Sequence, residues 1–306
     1  MRCLFFLFTP PQYFVTLDMI RIENCDNLDL MKSLPNNHID LIYCDILYGT
    51  GRNFGDYQDL KPIRSEIEAH YIPRIKEMHR ILKDTGSIYL QMDCNIDYII
   101  RLICENILKF QASIYWKRNY NTASSKKLSN KIPNNTDVIY QFSKTNNFFH
   151  KHIERPYSES GLKRYNKTDD KGIYSLQPLV TYSQKKYDLL ESKGELVISE
   201  KSKYPLYKKY LSGGVIIDNF WGDIGRVGNG LSLYPTQKPK SLIERIIKAS
   251  SKEGDLVADF YMGSGTTAEV CQDLNRNFIG CDINPNAVKI TNERLDKARN
   301  LFSNCG

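Results

Sequence analysis

The sequence predicts an α/β protein built on a doubly wound, mostly parallel sheet with a small inserted domain. Three observations carry this expectation. Short apolar runs alternate with amphipathic helical patterns from residue 20 to residue 116. Residues 255–267 read as a buried strand that breaks into a glycine turn and restarts as a helix. Between these parts the periodicity fails across a long stretch rich in Lys and Tyr.

Taken in order, Ile20-Arg-Ile-Glu-Asn is a strand ending at Asp26, followed by a short amphipathic helix and a break at Pro35-Asn-Asn. Ile39-Asp-Leu-Ile-Tyr-Cys is nearly all apolar, as expected of a central parallel strand, and it delivers Asp45-Ile-Leu-Tyr48 to its carboxyl end. In open α/β sheets that end is where ligands bind. The glycine-rich loop 49–57, which contains Arg52, should cover the same edge. A helix follows over 63–82, in which Pro73 demands a kink or a boundary. A strand over 86–92, a helix over 96–108 and a strand over 112–116 continue the alternation. Residues 117–135 form a polar connection before a strand at 138–142. Regular structure resumes at Val215 and continues through a helix over 241–250, the 255–267 unit, a strand ending at Asp282 and a helix over 286–300. The expected organisation is an extension outside the fold over 1–18, a first half-domain over 19–149, an inserted region over 150–212 and a second half-domain over 213–306.

Charge sharpens this division. Between Lys117 and Tyr210, nineteen Lys or Arg stand against nine Asp or Glu, although the whole chain carries only +7. Half of the 20 tyrosines lie in the same window, so basic and aromatic side chains are interleaved there. That is the footprint of a nucleic-acid face, with a solvated lysine-rich surface as the competing explanation. Lys163, Arg164, Lys167, Lys185 and Lys186, with Arg52 in the loop, are the candidate nucleic-acid contacts. Eight cysteines without a Cys-x-x-Cys pair argue against structural zinc or a disulfide framework, and suit the reduced thiols of a cytoplasmic protein. No apolar run approaches the roughly 20 residues of a membrane span. The apolar start of the chain runs into Pro10-Pro11 with no cleavage site, unlike a signal peptide.

Gly263 and Gly265 permit a tight turn and let a ligand lie against main-chain N–H groups. Asp282 stands about 20 residues beyond, where the acid of a nucleotide-binding βαβ unit accepts from ribose hydroxyls. The third glycine of Gly-x-Gly-x-x-Gly is missing and no Gly-Lys-Ser/Thr follows, so a ligand with a ribose but no phosphate fits best.

With Asp45-Ile-Leu-Tyr48 first, Thr236-Gln-Lys-Pro-Lys-Ser-Leu-Ile later and Asp259-Phe-Tyr-Met-Gly-Ser-Gly-Thr-Thr last, the chain resembles the β-class DNA amino-methyltransferases of restriction-modification systems. The resemblance spans about residues 19–301 and implies a Rossmann-like methyltransferase fold with permuted motif order, S-adenosyl-L-methionine as cofactor and double-stranded DNA as partner. It leaves open a cognate restriction endonuclease and a homodimer. It implies that Asp259, Tyr261, Gly263, Ser264, Gly265 and Thr266 form the cofactor turn and that Asp282 holds the ribose hydroxyls. Thr236 and Lys238 would close over the methionine part. Asp26 would approach the cofactor's adenine ring, unless it is simply a helix N-cap.

By the same resemblance Asp45 and the backbone carbonyl of Ile46 accept from the target amine, while Tyr48 stacks on a base swung out of the duplex. The family's motif is usually Asp-Pro-Pro-Tyr, and Ile46 and Leu47 replace both prolines here, which puts the loop's pre-organisation in doubt. The leading Asp favours N6 of adenine. N4 of cytosine and a catalytically decayed DNA-binding protein remain alternatives, whereas a nicotinamide-dependent oxidoreductase suffers from the missing third glycine.

Overall fold

The computed structural model describes residues 19–53, 58–118, 132–228 and 237–303, with side chains to residue 297. The extension 1–18, residues 119–131 of the polar connection and Thr236 lie outside them. The chain forms two compact units, Met1–Lys151 with Asn219–Gly306, and His152–Asp218.

The larger unit opens with β1 (Ile20–Asn24), α1 (Asn27–Ser33), β2 (Ile39–Asp45), α2 (Arg64–Ile81), β3 (Leu82–Met92), α3 (Asp97–Glu105), β4 (Lys109–Lys117) and β5 (Thr136–Ser143). The smaller unit holds β6 (Glu154–Arg155), α4 (Glu159–Leu162), β7 (Lys167–Asp169), β8 (Gly172–Pro178), α5 (Gln184–Ser192), β9 (Leu196–Val197), β10 (Leu206–Tyr210) and β11 (Val215–Ile216). The chain then returns with β12 (Phe220–Trp221), α6 (Lys240–Ser250), β13 (Leu256–Asp259), α7 (Thr266–Asp273), β14 (Asn277–Asp282) and α8 (Pro285–Ser303).

One sheet runs in the order β1-β14-β13-β2-β3-β5-β4-β12. Its strands are parallel except at β5, which pairs antiparallel with both β3 and β4. An apolar strand carries no mark of its direction, so the alternation of elements could not reveal this reversal. β2 shows why the centre is buried on both faces. Ile42 and Cys44 join α1, α2 and α3 in one core, while Leu41 and Tyr43 alternate with them along the strand and are equally buried.

From β2 the chain passes through α2 to β3 on one side, and from β13 through α7 to β14 on the other. The carboxyl ends of β2 and β13 therefore flank a topological switch point, where departing connections leave a crevice. Pro73 does not divide α2. The helix is continuous across it.

The smaller unit is a four-stranded antiparallel sheet in the order β7-β8-β10-β9, with a two-stranded ladder of β6 and β11. That ladder ties Val215 and Ile216 to Arg155 and Glu154, so this unit extends to Asp218.

The turn after β13 imposes a firm constraint. Gly265 has φ +72°, and a Cβ there would meet the Thr291 side chain at 2.3 Å. Its lack of a side chain serves the packing of α8, a different need from the ligand approach the sequence suggested for it. Gly265→Ala should lower stability by about 1–3 kcal/mol through backbone strain, with steric conflict adding to the loss. An unchanged thermal melt would show that the turn relaxes freely.

Candidate active site

A cavity of about 490 Å³ lies at the switch point, within the usual range for small-molecule sites. Asp45 from the end of β2, Asp259 from the end of β13 and Asp282 from the end of β14 all line it. Gathered carboxylates resist joint ionisation, and burial adds to that resistance.

Asp259 is held deepest, at 2% exposure. It accepts from the Thr267 hydroxyl at 2.6 Å and the Tyr261 amide at 3.0 Å. Burial nevertheless pushes its pKa up to about 7. Asp282 accepts from the Gly263 amide at 2.8 Å and the Asn284 amide at 2.9 Å. Burial raises its pKa, and these two amides pull the other way. Each oxygen spends one lone pair on a backbone N–H, so the carboxylate retains acceptor capacity toward the cavity. Gly263, with φ +53°, supplies the left-handed backbone this contact uses.

The turn is braced from behind. Arg294 Nη1 donates to the Ser264 carbonyl at 2.8 Å and to Thr266 Oγ1 at 3.0 Å. Ser264 and Thr266 are both buried and also border the cavity.

Asp45 accepts from the Tyr48 hydroxyl at 3.0 Å through Oδ1 and from the Lys238 ammonium through Oδ2. Burial raises its pKa, and Lys238 opposes the rise. The same ammonium lies 5.2 Å from the centre of the Tyr48 ring. Lys238 thus covers both the carboxylate and the aromatic face of the tetrapeptide, a position the sequence did not suggest.

The missing prolines have a structural replacement. The Ile46 N–H donates to the Gln91 carbonyl at 3.0 Å, extending the pairing of β2 with β3 by one residue. Tyr71 donates to the Leu47 carbonyl at 3.2 Å. Asp59, 3% exposed, accepts from the amides of Gly49 at 3.1 Å and Thr50 at 2.7 Å, and from the Thr50 hydroxyl at 2.5 Å. Hydrogen bonds hold the loop where proline rings would restrict φ. Arg52, within the same loop, is exposed.

Asp26 lines the cavity and also caps α1, accepting from the Leu28 amide at 2.7 Å. Both its oxygens meet Arg74 Nη2, at 3.1 and 3.0 Å. Tyr261 reaches the cavity as well, and its hydroxyl lies 3.0 Å from His70 Nε2. Burial first, then the Arg74 charge, lower the His70 pKa to about 4, so the imidazole is neutral near pH 7. Sequence reasoning passed over Asp59, His70 and Arg74. The spacing of His70 and Arg74 at i and i+4 on one helix was the only available signal. Among the described residues, no cluster of His, Cys, Asp and Glu could hold a metal ion.

In the smaller unit, Lys163, Arg164, Lys167, Lys185 and Lys186 are all exposed. Lys167 lies on β7, and Lys185 and Lys186 on α5, with Lys186 Nζ 5.6 Å from the Tyr207 ring centre.

Sheet, switch point and cavity together define an open α/β protein of Rossmann-like type. Comparison with known proteins narrows the class, since the sequence model of the DNA methylase family matches residues 39–293. The chain belongs to this family and is a DNA methyltransferase of the N6-adenine/N4-cytosine type, among the S-adenosylmethionine-dependent enzymes of restriction-modification systems. It is 29% identical over 283 residues to the type II methyltransferase M.HpaI of Haemophilus parainfluenzae, covering 91% of this chain and 75% of that one. To the DNA adenine methyltransferase YhdJ of Escherichia coli (strain K12) it is 28% identical over 277 residues, covering 89% and 81%. Its fold is similar to that of the PvuII DNA methyltransferase (cytosine-N4-specific), with a TM-score of 0.59 at 16% identity over 89% of this chain and 85% of that one. It is also similar to M1.HpyAVI in its SAM complex, with a TM-score of 0.53 at 18% identity over 90% and 99%. No helix among the described residues is long and apolar enough to cross a membrane.

Two outcomes follow from this geometry. Ile46→Pro deletes the N–H bonded to Gln91 and should lower stability by about 0.5–1.5 kcal/mol, read by denaturant unfolding. An unchanged midpoint would mean that this bond does not hold the loop. For Asp259, a folded pKa of about 7 against an ordinary 3.8 means the native state binds the proton more tightly. Its contribution to stability is complete below about pH 3.8 and is lost as pH rises to about 7. Asp259→Asn, nearly isosteric, should therefore melt progressively higher than the wild type as pH rises through that window. Parallel curves would show that Asp259 titrates normally.

Proposed function

We propose that the chain transfers a methyl group from S-adenosyl-L-methionine to N6 of an adenine swung out of a specific double-stranded DNA site. The observation that carries this reading is the aspartate heading Asp45-Ile-Leu-Tyr48, which faces one cavity with Asp282 and the Gly263 turn. The adenine specificity of the similar YhdJ agrees with it.

The residues present suit the cofactor. Asp282 has acceptor capacity left for a pair of hydroxyls, Gly263 keeps the turn open, and the surrounding carboxylates favour a cationic ligand over a neutral one. Tyr261, Asp259, Ser264, Thr266 and Lys238 complete the candidate binding wall. Gly265 contributes by admitting α8 behind the turn. Asp26 takes part through its ion pair with Arg74, which fixes the cavity wall. When bound, the cofactor supplies an activated methyl group.

An exocyclic amine is a weak nucleophile because its lone pair is delocalised into the ring. Asp45 and the Ile46 carbonyl accept its two N–H bonds and localise that pair on nitrogen. Tyr48 offers the aromatic face for the base. For the base to stack, Lys238 must leave the face of the Tyr48 ring. Burial makes Asp45 a better base, which suits it to take the proton surplus after methylation.

In the smaller unit, Lys163, Arg164, Lys167, Lys185 and Lys186 are proposed to meet phosphates, with Arg52 as a further contact, and the unit is proposed to read the target sequence. A cognate endonuclease and a homodimer belong to the same proposal.

Incubation with labelled cofactor and mixed-sequence DNA, followed by digestion to nucleosides, should give labelled N6-methyladenosine. N4-methylcytidine would move the target to cytosine, and DNA binding without label would mean a decayed site. Asp45→Ala should abolish transfer while cofactor affinity holds, whereas Asp282→Ala should weaken cofactor binding by roughly 1.5–3 kcal/mol. Calorimetry showing the reverse pattern would contradict both assignments.

A further inference from the structure

Asp137 stands outside every motif discussed so far, yet its carboxylate reaches the catalytic tetrapeptide. It lies on β5 with 1% exposure. Oδ2 accepts from the Tyr48 hydroxyl at 2.7 Å and from Gln91 Nε2 at 2.8 Å. Gln91 is held in turn by the buried Tyr43 hydroxyl, which donates to its Oε1 at 2.8 Å. Oδ1 makes no hydrogen bond, and Arg118 Nη1 lies 3.3 Å from it. The Tyr48 hydroxyl, meanwhile, is also 3.0 Å from Asp45 Oδ1.

A phenol has one proton and so donates to one of these carboxylates at a time. When the proton points at Asp45, it uses acceptor capacity on Oδ1, the oxygen that Lys238 does not hold, and weakens that carboxylate as a base. When it points at Asp137, Asp45 Oδ1 faces only a phenol lone pair and is a stronger acceptor. The shorter distance lies on the Asp137 side, and Gln91 fixes Asp137 Oδ2 in place to receive the proton.

We propose that Asp137 is a positioning residue for methyl transfer, which draws the Tyr48 phenol proton to itself and leaves Asp45 Oδ1 open to the target amine. The proposal rests on the reading of Asp45 as the amine's acceptor. It adds an acidic residue that acts through a tyrosine, so the phenol of Tyr48 has a task separate from the stacking of its ring. The competing role is purely structural, a buried charge matched by Arg118.

The two roles separate in a double-mutant cycle. Asp137→Asn, Tyr48→Phe and the double variant are compared with the wild type in single-turnover methylation of DNA, after thermal melts have checked that all four proteins fold. A neutral amide at position 137 is the weaker acceptor, so the phenol turns to Asp45. The single-turnover rate should then fall about tenfold or more, with KM for cofactor and DNA little changed. Tyr48→Phe carries its own loss, but it removes the contested proton. Asp137→Asn should therefore slow the Tyr48→Phe enzyme no further. Should Asp137→Asn fail to fold, Asp137→Ser is taken through the same cycle as a smaller neutral replacement. Losses that multiply in the double variant, or a rate unchanged by either neutral replacement, would overturn the proposal. A wild type that transfers no methyl group, or an active Asp45→Ala, would instead refute the reading of the site beneath it.

Discussion

β2 and β13 pair side by side, Leu41 with Val257 and Ile42 with Ala258, and each ends in an aspartate. The rest of the site follows from that contact. Because the connections leave the two strands in opposite directions, a cavity opens above their carboxyl ends. Because both strands deliver an acid, and β14 beside β13 delivers Asp282, that space concentrates negative charge. Each acid then needs its own local solution. Asp259 is raised toward neutrality, Asp282 takes two backbone amides, and Asp45 draws Lys238 onto itself.

The loop after β2 shows how one chemical requirement can be met in two ways. In the proposed mechanism the carbonyl of residue 46 has to be held still before an amine arrives. Proline rings would do this by restricting φ. Here the Ile46 amide continues the ladder to β3, Ile46 itself is buried, and Asp59 gathers the next amides. The departure from the usual tetrapeptide therefore does not by itself indicate a loose site.

Much of this was legible in the sequence. β13 is an unbroken apolar run ending in Asp259 and β2 a nearly all apolar one ending in Asp45, and the Gly263 turn with Asp282 downstream is a local pattern at a fixed spacing. The order of the three motifs pointed to the family that residues 39–293 match. What stayed hidden depends on contacts between distant residues. Lys238 meets Asp45 across 193 positions and Asp137 meets Tyr48 across 89. The packing demand of Thr291 on Gly265 comes from a later helix and so leaves no local pattern. The reversal of β5 leaves no trace in composition, and Pro73 stays inside one continuous helix.

In the proposed mechanism one cavity serves both the cofactor and the reacting amine. A crystal structure of the chain with S-adenosyl-L-methionine tests this most directly. The account predicts ribose hydroxyls on Asp282 and the methyl-bearing sulfur turned toward Asp45. A cofactor seated away from the β2 and β13 ends, or one whose sulfur faces away from Asp45, would contradict it.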